Sequence, residues 1–264
     1  MERRFAVSTL GMPGVPVAVA AEVAAAHGCH GLEIRAHADE VVHLGLTERK
    51  SAQVKALIAD AGLEVACIAG YAKVCAPGPD EPVVAELRAL IDLAHRLGAP
   101  SIRVFPGGDG RAHDRIAAVL DDLDAAGIRL LVETHDSHPT GKAAVSLVEP
   151  FGDPARVAVL WDALHPWRSG ETPAETRAVL GEYLGYFQVK DAVSAVDTTP
   201  VSPGEGAVPL GECAALLRDW PGWISLEWEK AWYPDIAPVA APLRAAAAWF
   251  RDLDTEKALS KENG

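Results

Sequence analysis

The chain has 264 residues, 49% hydrophobic and 23% charged, which suits a globular protein with a core large enough for one barrel-sized domain. Its formal net charge of −13 argues against a nucleic-acid surface, which needs clustered Lys and Arg, and against binding to an anionic membrane. Cys29, Cys67, Cys75 and Cys213 form no CxxC pair, so they are read as reduced thiols of an intracellular, cytoplasmic protein.

At the N-terminus, MERRF and the Ala- and Val-rich residues after it superficially look like a secretion signal. Pro13 and Pro16 interrupt the apolar stretch and Glu22 and His27 break its continuation, so the segment reads as mature domain. No uninterrupted apolar run approaches a bilayer-spanning length. Along the chain, short apolar runs alternate with Ala/Leu-rich stretches. The runs are RFAVSTL near the start, GLEIR (31–35), EVACIAG (64–70), SIRVFPG (101–107), RLLVETH (129–135), RVAVLWD (156–162), YFQVKDA (186–192) and WISLEWE (223–229). Between them lie segments with helical patterns, such as VAVAAEVAAAHG, TERKSAQVKALIADAG, PVVAELRALIDLAHRLG, DRIAAVLDDLDAAG and PLGECAALLRDW. Gly28, Gly62, Gly98 and Gly127 close four of these stretches, where glycine accepts the left-handed conformation that ends a helix. Eight strand–helix pairs without a composition break predict an α/β fold, a single-domain (β/α)8 TIM barrel over residues 1–253. Residues 254–264, DTEKALSKENG, are expected to form a polar, flexible tail.

Four apolar runs end on acid or amide side chains: Glu133, Asp162, Gln188 and Glu227. A buried carboxylate is costly unless paired, protonated or bound to a cation, so acids at equivalent strand ends suggest one shared divalent metal. In a TIM barrel these C-terminal strand ends are where chemistry sits. Alternation along a strand puts His135 on the face of Glu133, Lys190 on that of Gln188, and Glu229 on that of Glu227. The competing account of Glu133 and Asp162 is a barrel-mouth salt bridge with Arg or Lys, and that of Gln188 is a plain hydrogen-bonding core residue. Trp167, Trp228 and Trp232 could stack on a sugar or another ring, or roof the barrel. PGEG at 203–206 reads as a tight turn, so a phosphate on the substrate is unsupported.

ETH at 133–135, WDALH at 161–165, FQVKD at 187–191, GEG at 204–206 and SLEWEK at 225–230 follow one another in this order. In these motifs the chain resembles the sugar phosphate isomerase/epimerase proteins with a xylose isomerase-like barrel. The resemblance implies a divalent metal held by Glu133, Asp162, Gln188 and Glu227; the family commonly has His where Gln188 stands. It also implies that Glu133 and Glu227 are the catalytic acid and base and that His165 contacts the substrate. His135, Lys190, Trp167 and Glu229 are further candidate substrate contacts. An all-oxygen ligand set suits Mn2+, with Mg2+ or Co2+ as alternatives, better than Zn2+.

The reaction so implied is a metal-dependent isomerisation or epimerisation of a keto sugar or related polyol through an enediolate. Metal-dependent lyases share the pattern: dehydratases of keto-inositol or dehydroshikimate, and C-glycoside-cleaving enzymes. The DNA-repair endonuclease branch shares the fold, but His37 is the only extra ligand candidate and the acidic charge opposes DNA. Gln188 keeps a metal-free binding subunit in view. The family resemblance admits a homodimer or homotetramer.

Overall fold

The computed structural model describes the backbone of residues 2–262 and the side chains of residues 2–253. Eight parallel strands close a barrel in sequence order. They are β1 (Arg4–Ser8), β2 (Gly31–Arg35), β3 (Glu64–Lys73), β4 (Ser101–Phe105), β5 (Arg129–Glu133), β6 (Val157–Asp162), β7 (Leu184–Val189) and β8 (Trp223–Leu226). The helices are α1 (Val17–Ala26), α2 (Glu48–Asp60), α3 (Asp80–Leu97), α4 (Ala112–Ala117), α5 (Leu120–Ala126), α6 (Gly141–Val148), α7 (Leu164–Arg168), α8 (Pro173–Leu180), α9 (Leu210–Leu217) and α10 (Ala240–Glu262). No described helix is long and apolar enough to cross a membrane.

The expected (β/α)8 barrel is therefore the fold. α3 shows why its sequence makes a barrel helix: Val84, Leu87, Leu90, Ile91, Ala94 and Leu97 recur at helical spacing and are buried. Asp80 and Glu81 sit in its first turn and His95 and Arg96 in its last, matching the helix dipole. Gly98 then takes φ 74, and Gly28, Gly62 and Gly127 are left-handed in the same role.

Two details differ from expectation. The single helix expected over 114–127 is divided into α4 and α5, because Val119 N–H bonds back three residues to Ile116 O. α10 extends through residues 254–262, the stretch expected to be a flexible tail, so its backbone is helical there. The side chains of that stretch and the last two residues lie outside the described residues, and with them the expectation of flexibility.

Alternation divides the strands between two cores. Outward-facing residues such as Ile34, Ile102, Val132 and Trp161 pack with the helices in the larger core. Ala6, Ala66, Cys67, Leu131, Ala158, Leu160 and Tyr186 form a separate inner cluster in the barrel. The interior is tight enough to demand glycine. A Cβ on Gly185 would lie 2.6 Å from Leu131 and 3.0 Å from Ala158. One step further along these strands, toward their C-terminal ends, the small apolar layer gives way to charge.

Candidate active site at the barrel mouth

Register brings the strand-end residues to one level. Asp162 on β6 lies opposite Gln188 on β7, Gln188 opposite Ser225 on β8, and Ser8 on β1 opposite Glu33 on β2. Backbone bonds extend the level beyond the strands: Ala163 N–H donates to Gln188 O at 3.1 Å and Glu227 N–H to Val189 O at 3.2 Å. Thr134 Oγ1 accepts from Asp162 N–H at 3.0 Å, tying the ends of β5 and β6. Glu33, Arg103, Glu133, Asp162, Gln188, Lys190 and Glu227 are all at most 5% exposed.

The charges are interleaved. Lys190 Nζ lies 3.1 Å from Asp162 Oδ2, 2.5 Å from Glu227 Oε2 and 3.1 Å from Glu229 Oε1. Arg103 Nε is 3.1 Å from Glu133 Oε2, close but not aligned as a hydrogen bond, and its guanidinium reaches within 4.0 Å of Glu227 Oε1. Gln188 Nε2 donates to Glu33 Oε1 at 3.0 Å and to Glu227 Oε1 at 3.2 Å. The salt bridges weighed for Glu133 and Asp162 are thus present, and Gln188 does bond within the core.

Burial and mutual repulsion shape the proton affinities. Burial holds the Glu133 carboxyl well above the ordinary range against the lowering pull of Arg103, with Glu227 and Asp162 adding to the rise. Glu33 is raised by burial and by Glu227, and Glu229 by burial against Lys190. Burial alone would lower Lys190, but Asp162, Glu227 and Glu229 outweigh it and hold the ammonium well above its usual value. His165 is pushed well down by burial, with Lys190 and His135 adding to the fall, and His135 is lowered mainly by burial. Both imidazoles are therefore neutral at physiological pH.

The donor set fits a divalent cation. Glu33, Glu133, Asp162, Glu227 and Glu229 outnumber Arg103 and Lys190. Gln188 Oε1 is buried with no hydrogen-bond partner, although the nitrogen of the same amide is used twice. A buried carbonyl oxygen left this way is costly unless something positive reaches it. Among the described residues the grouping of His, Cys, Asp and Glu with ligand-like spacing is Glu133, His135 and His165, whose ligand atoms lie within 4.8 Å of one another.

A sequence model described as the xylose isomerase-like TIM barrel matches residues 21–253. The chain belongs to this family. Among curated proteins it is 24% identical over 197 residues to a 3-dehydroshikimate dehydratase of Bacillus anthracis, covering 64% of this chain and 70% of that one. A crystal structure of D-psicose 3-epimerase in the presence of D-fructose superposes with TM-score 0.74 at 15% identity, covering 94% of this chain and 97% of the other. The IOLI protein with a bound zinc atom gives TM-score 0.76 at 13% identity, covering 96% and 98%. At these identities the structural matches speak for the fold.

Within this xylose isomerase-like barrel, an aromatic arc faces the acids. Ring centroids run from His37 to Tyr71 at 5.0 Å, Tyr71 to Phe105 at 5.8 Å, Phe105 to His135 at 4.5 Å and His135 to His165 at 4.3 Å. The Arg103 guanidinium lies over Phe105 at 4.1 Å. Trp167, on α7, packs against the outer core and is not in this arc. Trp228 is buried and donates its indole N–H to Ala237 O, while Trp232 is 51% exposed and 6.4 Å from Tyr71.

Glu33 and Arg103 are the site residues that strand-end reading missed. Their signal was a charged residue inside a short apolar strand, GLEIR and SIRVF. The GEG motif is explained by Asp191. Its carboxylate accepts from the N–H groups of Ala192, Gly204, Gly206 and Val208 at 2.9–3.1 Å, so the glycines bring backbone to a carboxylate of the chain itself. A Cβ on Gly206 would lie 2.3 Å from Asp191 Oδ1.

Proposed function

We propose that this chain is an isomerase or epimerase that moves a proton on the carbon beside a carbonyl in a keto sugar or related polyol. The observation supporting it is the placement of Glu133 and Glu227 at the buried mouth, with the Arg103 guanidinium within reach of both. Moving such a proton needs one group to remove it and a second to return it to another atom or face. Glu133, which faces Arg103 Nε at 3.1 Å, is one member of that pair. Glu227, which accepts from Gln188 and lies against Lys190, is the other.

Glu133, Asp162, Gln188 and Glu227 would hold the divalent cation, Mn2+ by the chemistry of the donors, and once bound it would stabilise negative charge on a substrate oxygen. Arg103 and Lys190 supply donors to substrate oxygens in a dry setting, where each such contact counts for more than it would in water. His135 and His165, both neutral, can donate to one substrate hydroxyl and accept from another. The aromatic arc, whose successive rings are tilted to one another, offers ring faces and edges to a sugar or carbocyclic ring.

A second reading is a lyase of the same family, favoured by the curated relative named as a 3-dehydroshikimate dehydratase. Dehydration also begins by removing a proton beside a carbonyl, and then expels a hydroxyl. Incubation with Mn2+ in D2O, followed by NMR, separates the two for a panel of ketoses, keto-inositol and 3-dehydroshikimate. The isomerase reading expects deuterium at the carbon beside the carbonyl and an isomeric product. An unsaturated product assigns the lyase, and no exchange with any carbonyl compound overturns both.

A further inference from the structure

The ammonium of Lys190 stands where three carboxylates converge. It contacts Asp162, Glu227 and Glu229 at 2.5–3.1 Å, is 3% exposed, and belongs to the residue two places after Gln188 on the same strand end. Asp162 and Glu227 are also two of the residues assigned above to a divalent cation. Their remaining oxygens are already in use: Asp162 Oδ1 accepts from Leu164 N–H at 2.7 Å, and Glu227 Oε1 accepts from Gln188. A divalent ion bound to these carboxylates has to share them with a positive charge already in contact, in surroundings where water does little to screen the repulsion.

We propose that Lys190 is a built-in competitor that sets the metal affinity of this site. Divalent ions bind only as Lys190 gives up its contacts with Asp162 and Glu227, swinging toward Glu229, which the assigned ligand set does not use. Gln188 accentuates the competition. A neutral amide oxygen is a weaker ligand than an imidazole or a carboxylate, so the ammonium has a larger say in whether the ion stays. The consequence is a site that takes up metal weakly and reversibly and is selective for ions that tolerate oxygen ligands. This rests on the assignment of Asp162 and Glu227 as ligands, and the experiment must tell the two apart.

The test is calorimetric titration of MnCl2 into the purified protein, read alongside the shift in thermal midpoint. Parent, Lys190→Met, Lys190→Gln and Asp162→Asn are compared, each checked for native circular dichroism. Lys190→Gln is included because it keeps hydrogen-bond donors for the carboxylates if the methionine variant does not fold. Competition predicts that either Lys190 variant binds Mn2+ about tenfold more tightly than the parent or better, since removing a unit charge in contact with a ligand is a large electrostatic change. Asp162→Asn should weaken binding in the parent and, in double variants that combine it with Lys190→Met or Lys190→Gln, in the Lys190 backgrounds too. If the Lys190 variants bind no more tightly while Asp162→Asn weakens the parent, the competition is refuted and the ligand assignment stands. If Asp162→Asn changes nothing, or no variant binds Mn2+, the ligand assignment fails and the competition with it.

Discussion

Replacing Arg103 by Met tests the electrostatic construction of the mouth most directly. Arg103 is 2% exposed, faces Glu133 at 3.1 Å, donates to Gly70 O at 3.1 Å and lies over Phe105. Methionine keeps much of the packing but leaves Glu133 buried without its cation. Breaking a buried pair from one side costs about 3–5 kcal/mol when the remaining group must stay charged. Glu133 can escape that cost by binding a proton, which makes the loss depend on pH. Its carboxyl in the folded state already sits above the unfolded value of about 4.3. The folded protein therefore binds more protons than the unfolded chain above that pH, and stability falls as pH rises through the window up to the folded value. Without Arg103 that window widens upward. Urea unfolding should thus show a deficit of about 1 kcal/mol near pH 4.5, from the Gly70 hydrogen bond. At pH 8 the deficit should reach about 3–5 kcal/mol. Adding Glu133→Leu should recover most of the loss at pH 8, because it removes the stranded carboxylate. An equal deficit at both pH values, or less than about 1 kcal/mol at pH 8, would refute the pairing argument.

Gln188→Leu should weaken or abolish Mn2+ binding measured by calorimetry, and should cost stability because Glu33 and Glu227 each lose a buried donor; undiminished binding rules Gln188 out as a ligand. Asp191→Asn removes the charge and turns an amide N–H₂ toward backbone N–H groups that now donate to a carboxylate. It should cost about 3 kcal/mol and open the 192–208 loop to limited proteolysis, and a variant as protease-resistant as the parent would show that the loop is held otherwise. Gly185→Ala puts a methyl against Leu131 and Ala158 inside the barrel and should lower stability by about 1–3 kcal/mol in thermal melts, whereas a neutral outcome would mean that the inner layer has room to relax.

The barrel was readable because its signals are local and repeated: apolar runs of strand length, helices with one apolar face, and glycines that take positive φ where helices turn back. Glu133, Asp162, Gln188 and Glu227 were readable because they interrupt apolar runs at one end. What stayed hidden is which of them meet. Arg103 joins Glu133 next to it on β5 with Glu227 across the barrel, and a pairing over that sequence distance has no local pattern. Glu33 was passed over because, in a five-residue strand, one charged residue reads equally well as an outward-facing position. Lys190 was seen as a substrate contact, but its grip on Asp162, Glu227 and Glu229 together depends on how β6, β7 and β8 align. Trp167 drew notice for its ring, yet α7 turns it onto the outer core.

Lys190 and Asp191 are neighbours, and the end of β7 sends them in opposite directions: one into the cluster of acids, the other into the backbone of the loop that follows. Loop order and mouth charge are therefore fixed from adjacent positions on the chain. The residue that anchors the 192–208 segment is thus the chain neighbour of the one that anchors the acids.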